Sequence, residues 1–197
     1  MGNIGSLSNA IYSQGWDPIL ISSPVDLDDI SHLIIPGVGA YDSAMNLLSE
    51  KKLITFVHDF AESGKPLLGI CLGMQILSSV GSENTKSNGL GLIPGEVKLM
   101  KSSENLKLPH VGWNNISLSQ DHILLEGIKK NVDFYFVHSY CFHAHNKSQS
   151  IASTEYGNIF TSIVANGNVF GTQFHPEKSQ KNGLKILDNF CLWDGKC

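Results

Sequence analysis

The hydrophobic pattern changes character near residue 91. Before it, short apolar runs alternate with segments of helical period. Residues 6–14 predict a helix closed by Gly15, residues 18–21 a strand, and residues 32–35 a second strand stopped by Pro36-Gly37. Residues 41–48 and 53–63 predict two helices, the latter ended by Gly64. A continuous apolar run at 67–70 enters Cys71, and residues 72–79 return to helical spacing. Continuous apolar strands separated by helices are the signature of a parallel sheet covered on both faces.

Beyond Gly91 the pattern predicts strands at 96–100, 115–118, 134–137, 150–155, 160–165 and 169–174. Tyr156-Gly157-Asn158 and Asn166-Gly167-Asn168 supply turns, the second a hairpin signal. Residues 183–192 close the chain with an amphipathic helix carrying Leu184, Leu187 and Phe190. The expected fold class is α/β: a mostly parallel sheet with helices on both faces and a mixed, antiparallel second half. No repeat or linker divides the chain, so residues 1–197 are expected to form one domain.

Composition narrows the function classes. Apolar residues make up 42% of the 197 and charged residues 16%, a globular balance rather than a disordered one. A net charge of −4 offers no basic stripe for nucleic acid or an anionic membrane. All 14 basic residues are lysines, so the bidentate guanidinium fork often used on phosphate is missing, and a phosphorylated substrate is expected to sit on a partner. Cysteines at 71, 141, 191 and 197 show neither zinc spacing nor a disulfide framework. With no secretory signal and no apolar run near twenty residues, a cytoplasmic location is the expectation.

The chemistry gathers at two motifs. Gly69-Ile70-Cys71-Leu72-Gly73, between an apolar strand and a helix, has the form of a nucleophile elbow, which presents its nucleophile at the C-terminal edge of a sheet. His175-Pro176-Glu177 supplies a base and, two residues on, a carboxylate to orient it; in an extended segment both side chains would point the same way. The acid follows the histidine, whereas α/β-hydrolases place it before, which disfavours a plain hydrolase. Pro36-Gly37-Val38-Gly39 ends a strand with flexible backbone suited to an oxyanion hole shared with the Leu72 amide, or simply to a turn.

Five segments together resemble the class I (triad) glutamine amidotransferases. They are Pro36-Gly37-Val38-Gly39, Gly69 through Gln75, Pro109-His110-Val111-Gly112-Trp113-Asn114, Phe134 through Tyr140, and Gly171 through Ser179. Within that class the chain is similar to the glutaminase subunits of imidazole glycerol phosphate synthases, over residues 1–190. The resemblance implies hydrolysis of L-glutamine, without metal or other cofactor, and transfer of ammonia to a (β/α)8-barrel cyclase in a heterodimer serving histidine biosynthesis. It implies Cys71 as nucleophile, His175 as acid and base, and Glu177 as its orienting group. Val38, Gly39 and Leu72 match the oxyanion-hole positions. Gln75, Glu83, His138, Ser139 and Tyr140 fall where the family holds the amino-acid end of glutamine. Trp113 and Lys178 sit in motifs that face the partner.

Some features depart from that pattern. Family members open with an apolar strand running into Asp-Tyr-Gly-Met-Gly-Asn, and Met1-Gly2-Asn3 matches only its tail. The first, interior strand is therefore expected to be missing, and the natural start to lie upstream. Residues 2–6 and the lysine-rich run before Pro109 also resemble paralogues that supply ammonia for surface-sugar amination. His138, Cys141, His143 and His145 crowd one segment, but the family's use of 138–140 for glutamine argues against a metal. A non-catalytic scaffold for a cyclase-like partner and a free-standing cysteine hydrolase are the other readings.

Overall fold

A computed structural model describes residues 4–101 and 107–196. The helices are α1 (Ile4–Tyr12), α2 (Tyr41–Glu50), α3 (Leu53–Glu62), α4 (Leu72–Ile76) and α5 (Gln180–Leu192). The strands are β1 (Leu33–Gly37), β2 (Leu67–Cys71), β3 (Val80–Gly81), β4 (Ser87–Asn88), β5 (Gly95–Leu99), β6 (His110–Asn115), β7 (Ser117–Leu118), β8 (Asp133–His138), β9 (Tyr140–Ala144), β10 (Ser150–Tyr156), β11 (Asn158–Asn166) and β12 (Val169–Thr172).

The main sheet runs β1-β2-β12-β11-β10-β7. Its β1–β2 and β2–β12 pairs are parallel, and from β12 outward the strands are antiparallel. A second sheet runs β4-β3-β5-β9, and β6 pairs with β8 as a two-stranded ribbon. Every residue of β2 is buried, as expected of a strand covered on both faces.

Alternation along the central strands sorts side chains onto two cores. Leu68, Ile70, Phe170 and Ile163 face a core shared with Leu7 and Ile11 of α1 and Ile186, Leu187 and Phe190 of α5. Leu67, Val169 and Val164 face the other, built on Tyr41 and Met45 of α2 and Phe56, Val57 and Phe60 of α3. The helical faces are those set by the apolar spacing of the sequence.

Three boundary expectations are corrected. Residues 18–21 form no strand, and Ile19 and Leu20 are 66% and 74% exposed. A strand needs a hydrogen-bonding neighbour, and among the described residues β1 pairs only with β2. The expectation about Met1-Gly2-Asn3 lies outside the described residues, as does most of the run before Pro109. The helix expected over 72–79 ends at Ile76, because the carbonyls of Ile76, Leu77 and Ser78 accept from the amides of Leu90, Ile93 and Gly91. The strand expected over 115–118 is split: Ile116 turns into the core, and the chain leaves the ribbon to join the main sheet as β7.

Candidate active site

Cys71 ends β2 and immediately precedes α4, with φ 55° and ψ −109°. A non-glycine residue is strained there by roughly 1–3 kcal/mol, a cost that persists only where the surrounding packing enforces it. The packing here is tight. A Cβ on Gly37 would come within 2.9 Å of the Leu72 Cβ, and one on Gly73 would fall onto the Ile35 carbonyl. The β1–β2 register pairs Gly37 with Cys71, so the turn at Pro36–Gly39 lies beside the cysteine. Gly39 has φ 113°, a conformation that L side chains rarely adopt.

His175 is buried, and its Nδ1 lies 2.9 Å from Glu177 Oε1. The sequence expectation of two side chains aligned along a strand is corrected here. β12 stops at Thr172, and Glu177 lies in a 3-10 turn, Pro176–Lys178, which curls its carboxylate back to the ring. Ser179 secures that turn: its Oγ donates to the His175 carbonyl at 2.6 Å and accepts from the Tyr135 amide at 2.9 Å. The His175 amide also donates to the Tyr135 carbonyl. The His175 backbone is thus tied to β8 as well as to its own turn.

His175 Nε2 and Glu177 Oε2 are buried without hydrogen-bond partners. Burial disfavours the imidazolium, but attraction to the Cys71 sulfur and the Glu177 carboxylate outweighs it and raises the His175 pKa to about 9. Near neutral pH the arrangement favours the imidazolium form of His175. With the proton on sulfur instead, Cys71 Sγ donates weakly to the Val137 carbonyl at 3.8 Å.

The remaining site residues of the sequence reading fall in different settings. Val38 lines a small cavity with Gly37, Ile70, His175 and Glu177, and Leu72 opens α4 beside it. Gln75 Nε2 donates to the Tyr140 carbonyl at 2.9 Å and to Gln173 Oε1 at 3.1 Å. A Glu83 oxygen accepts from the Tyr41 amide at 2.8 Å, capping α2, whose N-cap residue Ala40 has no side-chain cap to offer. The His138 ring faces inward, while Ser139 and Tyr140 are half-buried. Trp113 is 47% exposed, packs edge-on to Tyr135 at 5.9 Å, and shares that ring with Lys178, whose Nζ lies 5.7 Å from its centroid. Cys141 and His143 share one side of β9, with Sγ 3.4 Å from Nε2.

Sequence reasoning did not single out Gln173, Ser179 or His110. Gln173 and Ser179 are wholly buried polar residues; Gln173 stands out as a polar side chain inside an apolar run, whereas Ser179, between Lys178 and Gln180, carries no such signal. His110 Nδ1 lies 3.1 Å from His138 Nε2, and its ring stacks on Tyr156 and Phe136. Burial lowers the His110 pKa to about 4 and, with the neighbouring histidines, that of His138 to about 3.

Both folded values lie below the ordinary 6.5, so the unfolded chain binds more protons once the pH falls beneath about 6.5. The stability tied to these rings is complete above that pH and is lost as the pH falls toward the folded values. The urea midpoint is therefore expected to drop between pH 7 and pH 4.5, and to drop less in His110→Phe, which keeps an aromatic ring in the stack. Equal slopes for the two proteins would contradict this assignment.

The sequence matches the glutamine amidotransferase class-I family over residues 7–193. It is 46% identical over 192 residues to the imidazole glycerol phosphate synthase subunit HisH of Methanosarcina acetivorans, covering 96% of this chain and 93% of the relative. It is 43% identical to the subunit of the same name from Desulfitobacterium hafniense, covering 98% and 90%. Among solved structures, PurLQS from Thermotoga maritima superposes with a TM-score of 0.75 at 19% identity, over 95% of this chain and 91% of that one. A crystal structure titled glutamine amidotransferase gives 0.73 at 19%, over 96% and 95%. These last two likenesses concern the fold alone.

Proposed function

The chain belongs to the class-I glutamine amidotransferase family, and we propose that it is the glutaminase subunit of an imidazole glycerol phosphate synthase. The observation that carries this is a histidine, locked by its own glutamate, beside a strained cysteine elbow, in a chain similar over nearly its whole length to subunits of that name.

The geometry supports the following chemistry. The Cys71 thiolate attacks the carboxamide carbon of glutamine, and the oxyanion forms against the amides of residues 38, 39 and 72. His175 Nε2 gives its proton to the departing nitrogen as the C–N bond breaks, leaving a glutamyl thioester and ammonia. The same nitrogen, now unprotonated, takes a proton from water, whose oxygen displaces sulfur to release glutamate. Glu177 keeps the ring in one orientation through both steps. Glu83, Gln75 and the segment 138–140 hold the amino-acid end of the substrate.

The partner face is supported by the ribbon. Along β8, Phe134, Phe136 and His138 turn inward while Tyr135 and Val137 turn outward, where they pair with Trp113 and Val111 of β6. These form an apolar, aromatic face of the kind enriched at the centres of interfaces, with the Lys178 ammonium beside the Tyr135 ring. The Val137 carbonyl touches Cys71 Sγ, so the reacting sulfur lies directly beneath this face. Ammonia released there has a short route to a (β/α)8-barrel cyclase docked on it, and the phosphorylated acceptor stays on the partner.

The test is glutamate release by the chain alone and with the cyclase and its ribosyl phosphate ligand. Strong ligand-dependent activation is expected. Full activity without partner or ligand would indicate a free-standing hydrolase, and no activity under any condition a scaffold. Trp113→Ala is expected to raise the Kd for the cyclase by about tenfold to a hundredfold, since buried aromatic anchors dominate such interfaces. Titration calorimetry reads this directly, and an unchanged Kd would move the docking face elsewhere.

A further inference from the structure

Gln173 lies one strand from the elbow, wholly buried, with its amide between Gln75 and Cys71. Its orientation follows from donor and acceptor chemistry. The Tyr140 carbonyl only accepts, so the Gln75 atom 2.9 Å from it is the nitrogen. That nitrogen is also 3.1 Å from the near end of the Gln173 amide, which must then be the oxygen. The far end is therefore the NH2 group, and it lies 3.7 Å from Cys71 Sγ. Turning Gln173 over would set NH2 against NH2 at Gln75 and an oxygen against the sulfur.

The Tyr140 carbonyl is itself held. It accepts from His138 Nδ1 at 2.9 Å, which leaves His138 Nε2 to accept from His110 Nδ1 at 3.1 Å. Donors thus run in a single sense from His110 to His138 to the Tyr140 carbonyl. Gln75 meets the same carbonyl from the other side and passes its second N–H to Gln173.

We infer that Gln173 is a catalytic residue for glutamine hydrolysis: it donates a hydrogen bond to the Cys71 thiolate, and Gln75 acts as the positioning residue that locks it in that orientation. The inference rests on Cys71 being the nucleophile. When the proton moves from Cys71 Sγ to His175 Nε2, no other bond changes, but the contact with the Val137 carbonyl turns from weakly attractive to repulsive. The Gln173 N–H offsets that repulsion. It also steadies the sulfur when the thioester breaks and the thiolate returns as leaving group.

The experiment is alkylation of the intact chain by iodoacetamide at pH 7 without glutamine, followed cysteine by cysteine by mass spectrometry. Gln173→Leu is expected to slow modification of Cys71 about tenfold, in keeping with a long hydrogen bond to a charged acceptor. Gln173→Glu keeps an oxygen for Gln75 but loses the donor, and is expected to slow it at least as much. Gln75→Met frees the Gln173 amide to turn and is expected to give a smaller loss. Cys141 and Cys191 serve as controls, because general loosening would speed their modification. An unchanged Cys71 rate in either folded Gln173 variant overturns the inference, as does a slowdown shared by all three cysteines. If neither variant folds, the unsubstituted chain decides: the Gln173 side-chain amide resonances must move when Cys71 is alkylated, and resonances that stay put overturn the inference. Failure of the unsubstituted chain to release glutamate would count against the glutaminase reading and leave the alkylation comparison interpretable.

Discussion

Cys71→Ala is expected to abolish glutamate release, by a factor on the order of 10⁴ or more, while leaving a folded chain. Removing the nucleophile of a hydrolytic triad typically costs about 10⁶ in kcat, because no other group can form the covalent intermediate. His175 and Glu177 cannot substitute: a base held beside an empty position activates water far from the geometry the cysteine provided. Folding is expected to survive because the positive φ at position 71 strains alanine and cysteine alike. Alanine gives up the sulfur's weak hydrogen bonds, to the Val137 carbonyl and from the Gln173 amide, together with its attraction to His175. Thermal unfolding together with a coupled glutamate assay, with and without the cyclase, checks both halves. Activity within tenfold of the parent would assign the chemistry to another residue.

Gly73→Ala carries the largest expected effect on stability, though position 73 touches no substrate in the proposed mechanism. Its Cβ would fall onto the main-chain carbonyl of Ile35 in β1, an atom that cannot rotate aside. Either α4 lifts from the sheet or β1 shifts, and both movements disturb the register that pairs Gly37 with Cys71. A cost of at least about 3 kcal/mol is expected, near the top of the usual range for overpacking. For a chain of this size that lowers Tm by about 6–12 °C, at about 2–4 °C per kcal/mol. Calorimetry is the direct check, and a native-like Tm would mean that the elbow has slack the structure does not show. Gly69 is constrained from the opposite side, since a Cβ there would meet the Gly73 carbonyl and the Met74 amide at about 2.6–2.7 Å. The glycines at either end of the elbow are required for packing, whatever the cysteine does.

Much of this architecture is written in local pattern. The apolar runs at 67–70 and 169–174 and the helical spacing at 41–48, 53–63 and 183–192 each became an element of the expected type. Local pattern failed where pairing decided. Ile19 and Leu20 have strand-like composition but no strand beside them, and they stay exposed. Tyr140–Ala144, rich in polar and aromatic residues, became β9 because β5 lies antiparallel to it over five residue pairs. The helix after Cys71 was cut short by a loop from 89–93 that takes its last carbonyls.

The candidate site divides the same way. By itself the sequence determined the strand–cysteine–helix elbow, the histidine with its glutamate two residues on, and the alternation that sets Tyr135 and Val137 against Phe134 and Phe136. Each depends on neighbours in the chain, whose relative directions are fixed by backbone geometry. Only the tertiary structure decided that Glu177 reaches His175 from a 3-10 turn and that Glu83 caps a helix 42 residues away. It alone joined Gln75, Gln173 and Cys71 into one hydrogen-bonded line, and His110 to His138. Those bonds join residues distant in sequence, and they form only once sheet register and the burial of unpaired polar atoms leave each amide and ring a single satisfied orientation.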